Sequence, residues 1–214
     1  PHKEAILPLL DEVDATAASC GAVNTVCIRE GRAIGHNTDG TGFLDSLAGQ
    51  GFYPQGRTVL LLGAGGAAKA VGHALATAGA GRIIVCARRL ERAAALAAQL
   101  PGCGEGIVLA QDAIQQAAAA CYLLVNATPL GMAGGAESNT LAFSEAMVAQ
   151  ASVVFDVVAL PAETPLIRLA QQRGKQTISG AEVIALQAVE QFALYTGVRP
   201  DSALVAEASA FARS

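Results

Sequence analysis

The sequence predicts an α/β protein built on a doubly wound parallel sheet, and two features of the chain indicate this fold class. From residue 57 onward, short apolar segments rich in β-branched residues alternate with segments of helical character. Such alternation is typical of a parallel sheet whose strands are joined by right-handed helical crossovers. The first of these strands also runs directly into a glycine-rich turn and a helix of small residues, an arrangement typical of Rossmann-like sheets.

The N-terminal segment precedes this alternation and predicts smaller elements. Residues 4–19 form an apolar-periodic stretch that predicts one bent helix. The segments 25–28 and 33–36 are joined by a glycine-containing turn and predict a short hairpin. Asp39 precedes residues 40–47, where its side chain would cap the N-terminus of a helix.

The alternating part of the chain predicts a strand or helix for nearly every segment. The predicted strands lie near residues 58–62, 82–87, 106–109, 121–126, 152–157 and 176–179. The predicted helices lie near residues 66–78, 90–99, 111–119, 142–148, 163–173, 181–195 and 201–211. In such a sheet we expect the ligand at the carboxyl ends of the strands.

The turn after the first of these strands predicts a dinucleotide site. Its glycines allow a tight turn and a close approach of a pyrophosphate to the backbone, and the first N–H groups of the following helix favour phosphate. A purely structural glycine turn is the alternative interpretation. The residues that we expect to contact the cofactor here are Gly63, Ala64, Gly65, Gly66 and Ala67.

The end of the next strand indicates which dinucleotide is preferred. An NAD site usually has an acidic residue here that accepts the ribose 2′-hydroxyl, whereas this chain has Arg88, Arg89 and Arg92. Guanidinium groups pair with a 2′-phosphate through charge-assisted hydrogen bonds, so the sequence favours NADP over NAD. A solvated, basic start to the following helix is the alternative.

Two polar residues of the N-terminal segment are candidates for acid–base chemistry. In a couple formed by Lys3 and Asp39, the carboxylate would orient the ammonium group, and the lysine would exchange a proton with a substrate oxygen. From spacing alone, a solvated Lys3 and an Asp39 that only caps a helix stay open. His36 is a further candidate base, but a lone histidine beside a hairpin is more often structural.

Composition argues against several other classes of function. The net charge of −4 and the absence of a long basic run argue against a nucleic-acid surface. No apolar run reaches the roughly 18 residues of a membrane span, and no signal peptide is visible. The five cysteines show no metal-ligand spacing, so we expect reduced thiols, no metal site and a cytoplasmic protein. As a separate expectation, the protein acts as a monomer or homodimer.

Six short blocks of the sequence resemble the signature blocks of the shikimate dehydrogenase family, in the same order and over essentially the whole chain. They read PHKE at 1–4, GAVNT at 21–25, NTDG at 37–40, GAGGA at 63–67, VNATPLGM at 125–132 and TPL at 164–166. The resemblance implies a Rossmann-like NADP-binding domain at 47–187. It also implies a smaller α/β substrate domain made of residues 1–46 and 188–214, incomplete at its N-terminus.

The resemblance also implies an activity and roles for individual residues. The family reduces 3-dehydroshikimate, a cyclic hydroxy acid of aromatic amino-acid biosynthesis, to shikimate with NADPH. Lys3 matches the catalytic lysine and Asp39 its partner, while Asn24 and Gln187 match residues that bind the substrate. The further positions that match the cofactor site are Arg88, Arg92, Thr128, Val157 and Gly180.

Four positions depart from the family pattern, and one of them is Ser179, where the family commonly has an aspartate before the glycine. Ala87 replaces the asparagine that begins the family's phosphate clamp, and Arg89 replaces its threonine. We therefore expect NADP to be preferred, with NAD as a second cofactor. Ala159 replaces a tyrosine that helps to hold the substrate, so quinate or another cyclic polyol acid is an alternative substrate.

Two further expectations follow from the resemblance. Family members carry a few dozen residues before the lysine block, including a serine pair that grips the substrate carboxylate, so we expect an upstream part of the substrate domain to be missing here. A non-catalytic, NADP-binding regulatory module is the alternative from a different class. The presence of both Lys3 and Asp39 argues against that alternative.

Overall fold

The computed structural model describes residues 2–201, 203–205 and 207, and it contains two sheets. The smaller sheet has the strand order β1-β3-β2. Its strands are β1 (Glu12–Val13), β2 (Thr25–Arg29) and β3 (Arg32–His36). Strands β2 and β3 are antiparallel neighbours, which confirms the predicted hairpin, and β1 pairs with β3 in parallel.

The stretch 4–19 is not one helix, so that prediction was wrong. It holds a 3-10 turn at Leu7–Leu9, then β1, then the helix α1 (Ala15–Cys20). A proline such as Pro8 lacks the N–H that a helix interior needs. The carboxylate of Asp14 accepts a hydrogen bond from the backbone N–H of Ala17 at 2.9 Å, which caps a new helix.

The larger sheet has six strands, all parallel, in the order β6-β5-β4-β7-β8-β9. They are β4 (Thr58–Leu62), β5 (Arg82–Ala87), β6 (Gly104–Val108), β7 (Leu123–Asn126), β8 (Val153–Asp156) and β9 (Gln176–Ser179). This is the doubly wound order of the Rossmann fold, and it confirms the predicted fold class. The crevice for a ligand therefore lies where β4 and β7 meet, since the chain reverses its direction of winding there.

Seven helices follow α1 between residues 39 and 196. They are α2 (Asp39–Gly49), α3 (Gly66–Thr77), α4 (Leu90–Ala97), α5 (Gln111–Ala118), α6 (Glu145–Gln150), α7 (Pro165–Gln172) and α8 (Gly180–Thr196). Each helix predicted between residues 66 and 195 has a counterpart here, with ends that differ by a few residues. The helix predicted at 201–211 lies largely outside the described residues.

The helices cover both faces of the larger sheet. Val59 and Leu61 of β4 pack with α2, α3, α4 and α8 in one apolar cluster. Leu60 and Leu62 pack with α5, α6 and α7 in a second cluster on the opposite face. Successive side chains of a strand point to opposite faces, and a parallel sheet buried on both sides needs apolar residues at every position.

Helix α2 connects the small sheet to the core of the large one. Its residue Phe43 is fully buried and stacks on Phe155 of β8, with 4.7 Å between the ring centroids. Asp39, one turn earlier, lies three residues after the end of β3. The packing of Phe43 therefore holds the polar start of α2 at a fixed position above the large sheet. The predicted division of the chain into 1–46 with 188–214 and 47–187 stays a prediction.

Candidate functional site

A cavity of about 200 Å³ lies at the carboxyl edge of the large sheet. Its polar lining comes from Lys3, Asp39 and Gln187. Its apolar lining comes from Ala67, Phe43, Val71, Phe155, Val157, Gly180, Val183 and Ile184. The structure thus brings together six of the residues that the sequence predicts for the site, from three helices and two loops, around one opening.

The ion pair between Lys3 and Asp39 is the main polar feature of this cavity. The Nζ of Lys3 donates a hydrogen bond to the Oδ2 of Asp39. The Asp39 side chain is 10% exposed, whereas that of Lys3 is 42% exposed. The carboxylate is therefore a nearly buried counter-ion, and the ammonium group keeps free donors for a bound molecule.

Asp39 does not cap helix α2, so that part of the prediction was wrong. Thr38 is the N-cap residue, and Asp39 is the first residue of the helix. The Oδ1 of Asn37 instead accepts the backbone N–H of Asp39 at 3.0 Å. Because this side chain satisfies a terminal N–H of the helix, the Asp39 carboxylate remains available for Lys3.

Asn24 orients the Asp39 carboxylate from the other side. Its Nδ2 donates to the Oδ1 of Asp39 at 2.8 Å and to the Oγ1 of Thr38 at 3.0 Å. Its own Oδ1 accepts the Thr38 N–H at 3.0 Å. Both oxygens of Asp39 therefore have a donor, and the rotamer of the carboxylate is fixed. The predicted contact between Asn24 and a substrate hydroxyl stays a prediction.

The glycine turn lies between β4 and α3. Gly63 has φ +120°, and a Cβ there would lie 2.8 Å from the Ala127 carbonyl oxygen, so only glycine fits. Gly65 is the N-cap of α3, without a side-chain hydrogen bond at the cap. A Cβ at Gly65 or Gly66 would meet no atom within 4 Å. The backbone at the start of α3 therefore has open space beside these two glycines, and the N-terminus of a helix there suits the pyrophosphate of a dinucleotide.

The arginine cluster, formed by Arg88, Arg89 and Arg92, lies one strand away from this turn. The Gly63 N–H donates to the Cys86 carbonyl at 2.8 Å, which holds the turn against the end of β5. Arg88 and Arg89 follow β5, Arg92 lies in the first turn of α4, and all three are exposed. None of them forms an ion pair with another described residue. Their guanidinium groups are thus available where a dinucleotide fold places the adenosine ribose.

The far side of the cavity is formed by the loop after β8 and by the first residue of α8, which directly follows β9. A Cβ at Gly180 would lie only 2.2 Å from the Val157 carbonyl oxygen, so glycine is required at the start of α8. The Val157 N–H donates to the Asn126 carbonyl at 2.9 Å. Thr128, predicted for the cofactor site, does not line the cavity but lies against the glycine turn, where its Cγ2 would be 3.4 Å from a Cβ at Gly63.

A buried polar network supports the loops after β7 and β8, and the sequence reasoning missed it. Asn126 and Asp156 are fully buried, and the Asn126 Nδ2 donates to the Asp156 Oδ1 at 2.9 Å. The Thr164 Oγ1 donates to the Asp156 Oδ2 at 2.6 Å, and the Thr128 Oγ1 donates to the Asn126 Oδ1 at 2.6 Å. Burial raises the pKa of Asp156 and outweighs these donors. The missed signal was a polar residue at the end of each of two neighbouring apolar strands.

His36 lies outside the cavity lining. Its Nδ1 forms a hydrogen bond with the Asp14 Oδ2 at 2.7 Å. Burial alone would raise the pKa of Asp14, but hydrogen bonds from Thr16, the Ala17 backbone and His36 outweigh it, so the pKa is lowered. The pair therefore joins β3 to the start of α1, which favours the structural interpretation of His36.

Thiol chemistry and metal binding have little structural support in the described part of the chain. All five cysteines are free thiols, and burial raises the pKa of Cys86 and Cys121 to about 11. No group of three or more side chains that could hold a metal ion occurs among the described residues. Within those residues, no helix has both the length and the apolarity to cross a membrane.

Comparison with known proteins gives consistent results. Residues 46–159 match the family described as shikimate/quinate 5-dehydrogenase, and residues 1–26 match the shikimate dehydrogenase substrate binding domain. A shikimate dehydrogenase-like protein of Haemophilus influenzae is 44% identical, over 100% of this chain and 76% of its own length. An NADP⁺-dependent shikimate dehydrogenase of Moorella thermoacetica is 44% identical, over 92% of this chain and 68% of its own.

Solved structures show the same relationship. The crystal structure of shikimate 5-dehydrogenase from Thermus thermophilus in complex with NADP(H) and shikimate superposes with a TM-score of 0.84 at 35% identity. The match covers 99% of this chain and 76% of that one. The identity, the coverage and the shared fold all agree with the motifs around the cavity, and the chain belongs to the shikimate dehydrogenase family.

Proposed function

We propose that this protein reduces 3-dehydroshikimate to shikimate with NADPH. The observation that carries the proposal is the Lys3–Asp39 ion pair, which shares one cavity with the first turn of α3 and the start of α8. Relatives named as NADP⁺-dependent shikimate dehydrogenases, at 38–44% identity, support it. The solved relative with NADP(H) and shikimate supports the same pair of ligands.

In this reaction Lys3 acts as the general acid. Bound NADPH supplies a hydride from C4 of its nicotinamide to the C3 carbonyl carbon. The Lys3 ammonium hydrogen-bonds to the carbonyl oxygen and donates a proton to it as negative charge develops there. The Asp39 carboxylate keeps the ammonium group in place and stabilises its charge. Asn24 fixes the rotamer of Asp39 through the 2.8 Å hydrogen bond.

The remaining cavity residues bind and orient. Gln187 lines the cavity from α8, together with Lys3 and Asp39, and its amide offers both a donor and an acceptor for ring hydroxyls. The glycine turn at 63–67 and the backbone near Thr128, Val157 and Gly180 form the cofactor side. The apolar wall formed by Phe43, Phe155 and Val183 excludes water from the reacting atoms.

The arginine cluster makes a testable contribution to cofactor choice. We expect the double variant Arg88→Ala, Arg92→Ala to raise the KM for NADPH by about ten- to a hundredfold, because a hydrogen bond to a charged group contributes roughly 1.5–3 kcal/mol. The KM for NADH should change little, since NADH has no 2′-phosphate. Steady-state kinetics with both cofactors measures this, with the exposed Arg32→Ala on β3 as a control. Equal losses for NADPH and NADH would contradict the assignment.

Quinate is the second candidate substrate, and Ala159 is the observation that favours it. Alanine at this position has no hydroxyl to hold the substrate, and the matched family is described as acting on shikimate or quinate. The two functions are separated by kcat/KM for shikimate and quinate oxidation, each with NADP⁺ and NAD⁺. We expect shikimate with NADP⁺ to give the highest value. A higher value for quinate would overturn the shikimate proposal, and Ala159→Tyr should then shift the ratio towards shikimate.

The cellular setting also remains part of the proposal. We propose a cytoplasmic enzyme that acts on a small cyclic hydroxy acid as a monomer or homodimer. The binding of NADPH without turnover of either acid would instead support a regulatory module.

A further inference from the structure

An ion pair outside the catalytic couple joins the segment of Lys3 to the cofactor helix. The Nζ of Lys69 lies 2.7 Å from the Oε1 of Glu4. Lys69 lies in the first turn of α3, where its N–H donates to the carbonyl of Gly65 at 2.9 Å. Glu4 directly follows Lys3. One end of the pair is therefore next to the proton donor, and the other end is next to the glycine turn.

For the stability of α3 taken by itself, a lysine at position 69 is unfavourable. The N-terminal turn of a helix carries a partial positive charge, so a cation there is disfavoured. The Lys69 side chain is 25% exposed, and its charge is directed to Glu4. A nearby carboxylate offsets the repulsion from the helix dipole. The contact to Glu4 thus supplies a reason for a lysine at this position.

The segment that carries Lys3 has few other anchors. The Lys3 carbonyl accepts the Val23 N–H at 2.8 Å, and the Lys3 side chain pairs with Asp39. The first contact fixes the backbone to the loop before β2, and the second is the catalytic pair itself. Neither contact ties the segment to α3, whose N-terminus begins the cofactor site. The Glu4–Lys69 pair supplies that third anchor.

We propose that Glu4 and Lys69 form a positioning pair that holds the Lys3 ammonium at a fixed place relative to the glycine turn. The inference rests on the proposed function, because it assigns the pair an effect on proton transfer by Lys3. Neither residue lines the cavity, so we expect loss of the pair to lower kcat through misplacement of Lys3. It leaves the binding of NADPH unchanged.

The test is a double-mutant cycle with Glu4→Gln, Lys69→Met and both together. We expect each single variant to lower kcat for the reduction of 3-dehydroshikimate by about two- to fivefold, the range of a partly exposed ion pair. The double variant should lose no more than either single one, because one interaction is removed in all three. Lys69→Arg keeps the cation and should restore kcat. The Kd for NADPH, from fluorescence titration, should stay the same throughout.

A second readout does not need turnover. Hydrogen exchange of the Val23 amide in the cofactor-free protein reports whether the Lys3 backbone stays in place. We expect this amide to exchange about two- to fivefold faster in Glu4→Gln and Lys69→Met than in the wild type. Glu105→Gln is the matched control, because it breaks the exposed ion pair with Arg82 on β5 and β6, far along the chain from Lys3. It should change neither exchange nor kcat.

Three outcomes would overturn the positioning role. Unchanged kcat and unchanged Val23 exchange in Glu4→Gln would show that the pair does not hold Lys3. A raised Kd for NADPH in Lys69→Met, with normal kcat in Glu4→Gln, would show that Lys69 contacts the cofactor phosphate instead. Additive losses in the double variant would show that the two residues act separately. If the wild type itself fails to reduce 3-dehydroshikimate, the proposed function fails, and Val23 exchange still tests the anchor.

Discussion

Replacing Lys3 by methionine should lower kcat for the reduction of 3-dehydroshikimate by about 10²- to 10⁴-fold, the usual contribution of a positioned general acid. Methionine keeps the apolar stem of the side chain but has no proton to donate. The Kd for NADPH should change little, because we assign cofactor binding to the glycine turn and the arginine cluster, and Lys3 belongs to neither. Steady-state kinetics and fluorescence titration of the same preparation measure both quantities.

Lys175→Met is the matched control for this variant. Lys175 is a half-buried lysine, like Lys3, and it donates to the Ala149 carbonyl at 2.6 Å, between α6 and β9. Its loss removes the same charge and the same donor group without touching the cavity, so kcat should stay at the wild-type level. Turnover near that of the wild type in Lys3→Met would rule out the proton-transfer role of Lys3.

Gly63→Ala should weaken NADPH binding by about ten- to a hundredfold. Alanine at φ +120° is strained, and its Cβ would lie 2.8 Å from the Ala127 carbonyl oxygen. Relief of this clash requires a shift of the turn, at a cost of about 1–3 kcal/mol for a residue in such a backbone region. The first N–H groups of α3 would then no longer point at the same place. Fluorescence titration with NADPH measures the loss.

Gly79→Ala separates backbone strain from loss of the site. Gly79 also has a positive φ, +81°, and lies just beyond the other end of α3, where an added Cβ has no contact closer than 3.5 Å. Both variants should unfold at a lower temperature than the wild type, but only Gly63→Ala should lose affinity for NADPH. Equal Kd values for the two variants would contradict the role of the glycine turn.

The large sheet was predictable from the sequence because its signals are local. Each strand reads as a short apolar run, and both faces of a parallel sheet are buried, so strands such as β4 and β5 stand out from their surroundings. The stretch 4–19 was not predictable in this way. Its apolar residues fit a helical period, but the pairing of β1 with β3 depends on partners that lie more than 20 residues away in the chain.

The candidate site was predictable in part. The glycine turn, the arginines and the Lys3–Asp39 couple each occupy a recognisable position in the sequence. The cap of α2 was wrongly predicted because Asn37, two residues before Asp39, takes over the helix N–H. The network of Asn126, Asp156 and Thr164 and the contact of Glu4 with Lys69 were not predicted at all. Both depend on how distant strand ends and loops meet in space.

A crystal structure of the protein with both NADP⁺ and shikimate is the most direct test. It shows whether the Lys3 ammonium group and the Asp39 carboxylate lie at the reacting carbon, beside the nicotinamide. We expect the Lys3 Nζ within hydrogen-bond reach, about 2.6–3.2 Å, of the hydroxyl that is oxidised. The nicotinamide ring should lie beside Val157 and Gly180. A complex in which Lys3 points away from shikimate while another side chain contacts that hydroxyl would contradict the account.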